Sequence, residues 1–120
     1  MLYNGQGIKS NINKASKWFK IAAEGGNAEA LYYLAMHYLE DLNEIEIGKK
    51  YLLEAVNLNY SQAIATMAFY YEFGDHNYEN DEMKAIDLYK KACILENKYA
   101  CKRLFILMTQ KNMRNEESVK

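Results

Sequence analysis

The sequence predicts an all-α fold, an α-solenoid of about six helices set as antiparallel pairs. Three observations predict it. Blocks recur along the chain: Trp18-Phe19-Lys20-Ile21-Ala22-Ala23 is echoed 33 residues on by Tyr51-Leu52-Leu53-Glu54-Ala55-Val56, and 37 residues further by Leu88-Tyr89-Lys90-Lys91-Ala92-Cys93. A fixed long period is the mark of stacked supersecondary units. Within each block the apolar residues fall at i, i+3, i+4 and i+7, the spacing of one helix face. Proline, which interrupts helix interiors, is absent.

The elements follow in order. A helix over 13–25 carries Ala15, Trp18, Phe19 and Ala22 on one face, and Gly25-Gly26 supplies a left-handed turn at its end. Asn27 can cap a helix over 28–40, whose face is Ala30, Leu31, Leu34, Ala35 and Tyr38. Asn43 with Glu46 reads as a capping box before a helix over 44–58 with Gly48, Tyr51, Leu52 and Ala55 inward. Ser61 can cap a helix over 61–73 with Ala63, Ile64, Met67, Ala68 and Tyr71 on its face. Asp81 and Glu82 open a helix over 81–96, and Lys90 and Lys91 lie towards its end, as the helix dipole prefers. Its face is Ala85, Leu88, Tyr89 and Ala92. Asn97 can cap the last helix, over 98–112, in which Ala100, Leu104 and Met108 align with Ala30, Leu34 and Tyr38. The polar run from Arg114 to Lys120 reads as a frayed tail. Small residues at the ends of each face let helix axes approach, and the large ones between them fill the grooves.

In domain terms this is one array over 1–113. It holds a partial repeat 1–27, repeats 28–60 and 61–97, and a terminal helix 98–113, followed by the tail 114–120. At 120 residues, half of them hydrophobic, the chain is long enough for one core. Fifteen basic against sixteen acidic residues give no general attraction to nucleic acid or to an anionic membrane. The longest apolar stretch, Ala63 to Tyr71 with Thr66 inside it, is too short to span a bilayer. No leader pattern opens the sequence, so the expected compartment is the cytoplasm.

The segments Tyr3-Asn4-Gly5-Gln6-Gly7-Ile8, Asn13-Lys14-Ala15, Trp18-Phe19-Lys20 and Ala22-Ala23-Glu24-Gly25-Gly26-Asn27-Ala28 resemble a Sel1-like repeat, a relative of the tetratricopeptide repeat. The likeness continues through Ala30, Leu34 and Tyr38, thins across 43–74 and returns at Lys84-Ala85 and Tyr89-Lys90-Lys91-Ala92. The family's glycine after the central Leu of the first helix is replaced by Ala35, Ala68 and Phe105. Phe105 there suggests that the last helix is not covered by a further repeat. The Gly5-x-Gly7 loop becomes Asp41-Leu42-Asn43 and then Gly74-Asp75-His76, so the 37-residue unit holds a longer loop. The likeness begins mid-repeat, which suggests self-association through the N-terminal face around Trp18 and Phe19, or a piece of a longer array.

The resemblance implies a protein-interaction or adaptor module. Such arrays curve, and the first helix of each pair lines the concave face. The residues there outside the core pattern are Tyr32, Tyr33, Met36 and His37, then Ala65, Thr66, Phe69 and Tyr70, then Lys102, Arg103, Ile106 and Leu107. Aromatic residues, Met and Arg favour interfaces. Tyr32, Tyr33, His37, Thr66, Tyr70 and Arg103 are therefore the candidate contacts for a protein or peptide partner, while Met36 and Phe69 read better as extra core. His37 falls opposite Leu34 and Ala35 and is expected to be exposed.

Chemistry is weakly signalled, and neither a cofactor nor a metal site is expected. Asp75, Asn77, Glu79 and Asp81 alternate like a calcium loop, but Asn80 and Ile86 stand where its glycine and bidentate Glu belong. Cys93 and Cys101, the only cysteines, stand eight apart between one helix end and the next helix start. Read alone they are a buried thiol pair or a disulfide, and two cysteines without a nearby His do not make a metal site. Secreted cysteine-rich relatives of the Sel1-like family place disulfides at similar spacing in an Ala-Cys…Ala-Cys frame, here Ala92-Cys93 and Ala100-Cys101. The alternative to a binding module is accordingly a small cysteine-containing hydrolase or redox protein of that type. No Ser-x-x-Lys motif with supporting partners backs it.

Overall fold

In a computed structural model of the chain, the described residues are Lys17, Ile21, Ala22 and residues 24–119, with side chains up to Arg114. Among them the secondary structure is helical and contains no strand. The helices are α1 (Ala28–Met36), α2 (Ile45–Asn57), α3 (Ser61–Phe73), α4 (Glu82–Ile94) and α5 (Lys98–Val119). The faces expected from Trp18 and Phe19, and with them the proposed N-terminal association surface, lie outside the described residues. The chain forms two compact units, Met1–Leu58 and Asn59–Lys120.

In the first unit α1 packs against α2. Ala30, Leu31, Leu34 and Ala35 of α1 are buried as expected, and so are Gly48, Leu52 and Ala55 of α2, joined by Val56, while Tyr51, expected inward, is half-buried. Leu34, Leu39 and Leu52 are at most 1% exposed, and burying each contributes about 2 kcal/mol. The end of α1 departs from the expected α-helix. His37–Asp41 form one wide π turn, in which the Leu42 N–H bonds the carbonyl of His37 at 3.1 Å. This turn delivers Leu39 onto α2 at Gly48, where an added Cβ would stand 2.5 Å from Leu39 Cγ. The expected capping box is not formed: Asn43 takes a left-handed φ of 52°, and Glu44 occupies the cap with no side-chain bond.

In the second unit α3 packs on α4, and α4 on α5. The core is Ala63, Ile64, Met67, Ala68 and Tyr70 of α3, Ala85, Ile86, Tyr89 and Ala92 of α4, and Ala100 and Leu107 of α5. The longer loop is tied down rather than open. Tyr78 is buried and stacks on Tyr70 at 5.5 Å, the Asn80 side-chain amide donates to the Glu72 carbonyl at 2.7 Å, and the Asp81 N–H donates to the Tyr71 carbonyl at 2.8 Å. Asp81 caps α4 by accepting from the Lys84 N–H at 3.1 Å.

The repeat is visible in the backbone itself. Gly26, Asn59 and Glu96, one per corner and 33 then 37 residues apart, take left-handed φ values of 84°, 62° and 69°. Asn27 and Asn97, the next residues at two of these corners, accept from the N–H three residues on, at 2.8 Å and 2.9 Å. At the third corner Tyr60 stands in the cap position without a side-chain bond, so Ser61 is the first helical residue and not the cap.

The expected tail is also revised. α5 runs to Val119 rather than ending near 112, and Arg114 donates to Glu82 of α4 at 2.6 Å, which holds the additional turn against its neighbour.

Candidate functional site

The candidate contacts fall in both units and are described within each. On α1, Tyr33 is exposed, and Tyr32 is half-buried with its ring edge-on to Tyr33 at 5.5 Å. His37 corrects the sequence expectation. The π turn carries its ring to 5.9 Å from Tyr38 and its Nδ1 to 3.0 Å from Asp41 Oδ2, leaving the side chain 14% exposed. Behind it Tyr38 stacks on Tyr51 of α2 at 5.6 Å, so the ring cluster is braced from below. This part of α1 offers an aromatic surface edged by Glu40 and Asp41, both exposed.

On α3 the outcome differs. Thr66 is half-buried, but Tyr70 is 3% exposed, packed against His76 at 4.6 Å and Tyr78 at 5.5 Å. Ala65 is buried as well. Tyr70 is therefore a core residue and not a contact. The reason is the long loop, which folds back and lays Tyr78 over the face that the periodicity alone leaves open.

Arg103 of α5 is committed inside its unit. Its Nη2 pairs with Glu72 Oε2, its Nε donates to Glu72 Oε1 at 3.2 Å, and its guanidinium lies 5.8 Å from the Phe73 ring centre. The Tyr89 hydroxyl donates to the same Glu72 Oε1 at 2.8 Å. Glu72 is the only charged residue in α3, and its side chain is 8% exposed. A buried carboxylate is tolerable when its lone pairs are filled in this way. Burial, and then the bond to Glu72, push the Tyr89 phenol well above the ordinary tyrosine range. The Glu72 hydrogen bond likewise raises Arg103. Sequence reading missed Glu72 and Tyr89 as a pair. A lone acid in an otherwise uncharged helix was the available signal.

Cys93 and Cys101 are joined by a disulfide that links the end of α4 to the first turn of α5, with Cα atoms 4.7 Å apart. Among the described residues no group of three or more His, Cys, Asp and Glu side chains is placed to hold a metal ion. No helix among them is long and apolar enough to cross a membrane.

The Sel1 repeat model matches residues 1–27, 28–60 and 61–97 in succession. The chain belongs to the Sel1 repeat family. The matched boundaries coincide with the left-handed corners at Gly26, Asn59 and Glu96, each of which stands one residue before a boundary. Sel1 repeats are generally protein-interaction modules, which places this chain in that broad class. No curated protein matches the chain.

Proposed function

We propose that this Sel1-repeat chain is an adaptor that holds a protein or peptide partner through the first helices of its repeats, and that it is not an enzyme. The observation that carries the reading is the exposed aromatic surface of α1. Tyr33 is 41% exposed although it neighbours the core residue Leu34, and Tyr32 and His37 flank it. Rigid aromatic side chains with a polar tip contribute large contact area at low entropy cost. Thr66, half-buried on α3, belongs to the other unit and does not enter this surface. Tyr70 is removed from the set by its burial, and Arg103 shapes its unit through Glu72.

The test is capture of a partner from the native cell by the wild type and by Tyr33→Ala/His37→Ala. The double variant is expected to keep its circular dichroism spectrum and to lose the partner, with an affinity drop of about thirtyfold or more if each side chain contributes as an interface anchor does. Retention of the partner at equal affinity would remove α1 from the account.

The disulfide is the one observation shared with the alternative, a cysteine-containing hydrolase or redox protein. It also favours an oxidising compartment over the reducing cytosol that the sequence suggests. Against catalysis, the groups clearly displaced among the described residues are Tyr89, raised by burial and Glu72, and Arg103, raised by Glu72, and the three satisfy one another.

A further inference from the structure

The corner before α3 carries a motif that the other two corners lack. Asn59-Tyr60-Ser61 is the one Asn-x-Ser/Thr triplet in the sequence, and its middle residue is not proline. Such a triplet is the acceptor for N-linked glycosylation, which calls for a surface position in a secreted protein.

The equivalent corners separate this triplet from the needs of the fold. Gly26-Asn27-Ala28 and Glu96-Asn97-Lys98 fill the same three places, 33 residues before and 37 after. All three corners take a left-handed φ at the first place. Glu96 does so at 69°, so this backbone does not demand asparagine. At the second place Asn27 and Asn97 cap their helices with a side-chain oxygen, whereas Tyr60 makes no cap bond. At the third place Ala28 and Lys98 open helices without a hydroxyl, and Ser61 is likewise a first helical residue and not a cap. The middle corner therefore gives up a cap that its equivalents make, and gains an asparagine and a serine two residues apart.

Exposure and redox chemistry agree with the motif. Asn57, Leu58 and Asn59 are all exposed, so a bulky hydrophilic group on the Asn59 amide displaces no core residue. The two cysteines of the chain are paired with each other at a different corner. A disulfide persists in the oxidising compartments of secreted proteins and is rare where thiols are kept reduced.

We propose that Asn59 is an N-glycosylation site, which receives an oligosaccharide from a polyprenyl diphosphate donor through a transferase of the secretory route. The Asn59 amide nitrogen bonds to the anomeric carbon of the first sugar. The bond from that carbon to the diphosphate oxygen breaks, the polyprenyl diphosphate leaves with the electron pair, and the amide nitrogen gives up one proton. The Ser61 hydroxyl is the recognition group of the motif. Transfer precedes closure of α3, because the folded unit holds Ser61 in the first turn of that helix. The site uses none of Tyr32, Tyr33 and His37, so it stands or falls separately from the adaptor reading.

Intact mass spectrometry of the full chain from its native cells is expected to show a species heavier than the bare 14.0 kDa polypeptide by one oligosaccharide. Peptide N-glycosidase in heavy-oxygen water should return it to the polypeptide mass and leave a labelled aspartate in place of Asn59. Asn59→Gln and Ser61→Ala, expressed in the same cells, should each abolish the added mass, while Ser61→Thr keeps it. Ser61→Ala introduces the residue type that stands at position 28, so its thermal melt should match that of the enzyme-treated wild type. A bare polypeptide mass from the native cells would overturn the proposal, whether Cys93 and Cys101 are paired or free. So would an oligosaccharide that resists the glycosidase or survives Ser61→Ala, since it would be attached elsewhere.

Discussion

Two side-chain pairs show how the same repeat position is solved in two ways. Leu39 and Leu52 in the first unit correspond to Glu72 and Tyr89 in the second. The first pair is fully buried and apolar; the second is a buried hydrogen bond of 2.8 Å. Where Leu39 sits, α2 carries Gly48; where Glu72 turns away to Tyr89 and Arg103, the equivalent position carries Ala85, itself 0% exposed. Gly48→Ala sets two effects against each other. Helix propensity favours Ala by about 1 kcal/mol, but forcing a methyl to 2.5 Å from the immobile Leu39 costs about 1–3 kcal/mol. We expect the overpacking to win and the urea midpoint to fall; a rise would show that Leu39 yields. Tyr89→Phe should cost about 1 kcal/mol near neutral pH, the worth of one buried hydrogen bond. Because the folded state holds the Tyr89 phenol above its ordinary value, this contribution is complete below about pH 10 and is lost as the pH rises beyond it. Melts of wild type and Tyr89→Phe between neutral and strongly alkaline pH should therefore converge, and a gap that stays constant would contradict the linkage.

The helices themselves were legible because each depends on local signals. Apolar spacing, the cap at Asn27, the acidic start at Asp81 and Glu82, and the corner at Gly26 placed α1 to α4 within a few residues of where they lie, and the cap at Asn97 placed the start of α5. The misses share a physical cause: each is decided by a contact distant in sequence or by one extra residue in a turn. The π turn keeps Leu34 and Tyr38 in apparent α spacing, so the sequence continues the α-helix and leaves His37 outward, whereas the wider turn tucks it beside Asp41. Tyr70 is buried by Tyr78, eight residues on and across a loop whose length was legible but whose path was not. The length of α5 was missed because its last turns carry no apolar period, and the contact there, Arg114 to Glu82, is with another helix. Of the candidate contacts, Tyr33 keeps the exposure expected of it, Tyr32 and Thr66 are half-covered, and Tyr70 and Arg103 are engaged within their unit. The exposure of Phe105, 72%, was legible, since Phe105 stands where alanine closes the two earlier first helices.

For the molecule as a whole, each unit closes its own helical core, and the aromatic side chains of α1 form a surface that the core of the first unit does not require. The adaptor reading rests on that surface. Hydroxyl-radical footprinting of the chain with and without its captured partner measures side-chain cover directly. The account predicts that the partner lowers oxidation of Tyr33, while Ile94, 81% exposed at the α4–α5 corner and outside that surface, is labelled as before. Unchanged labelling of Tyr33 in a chain fully occupied by its partner would contradict it.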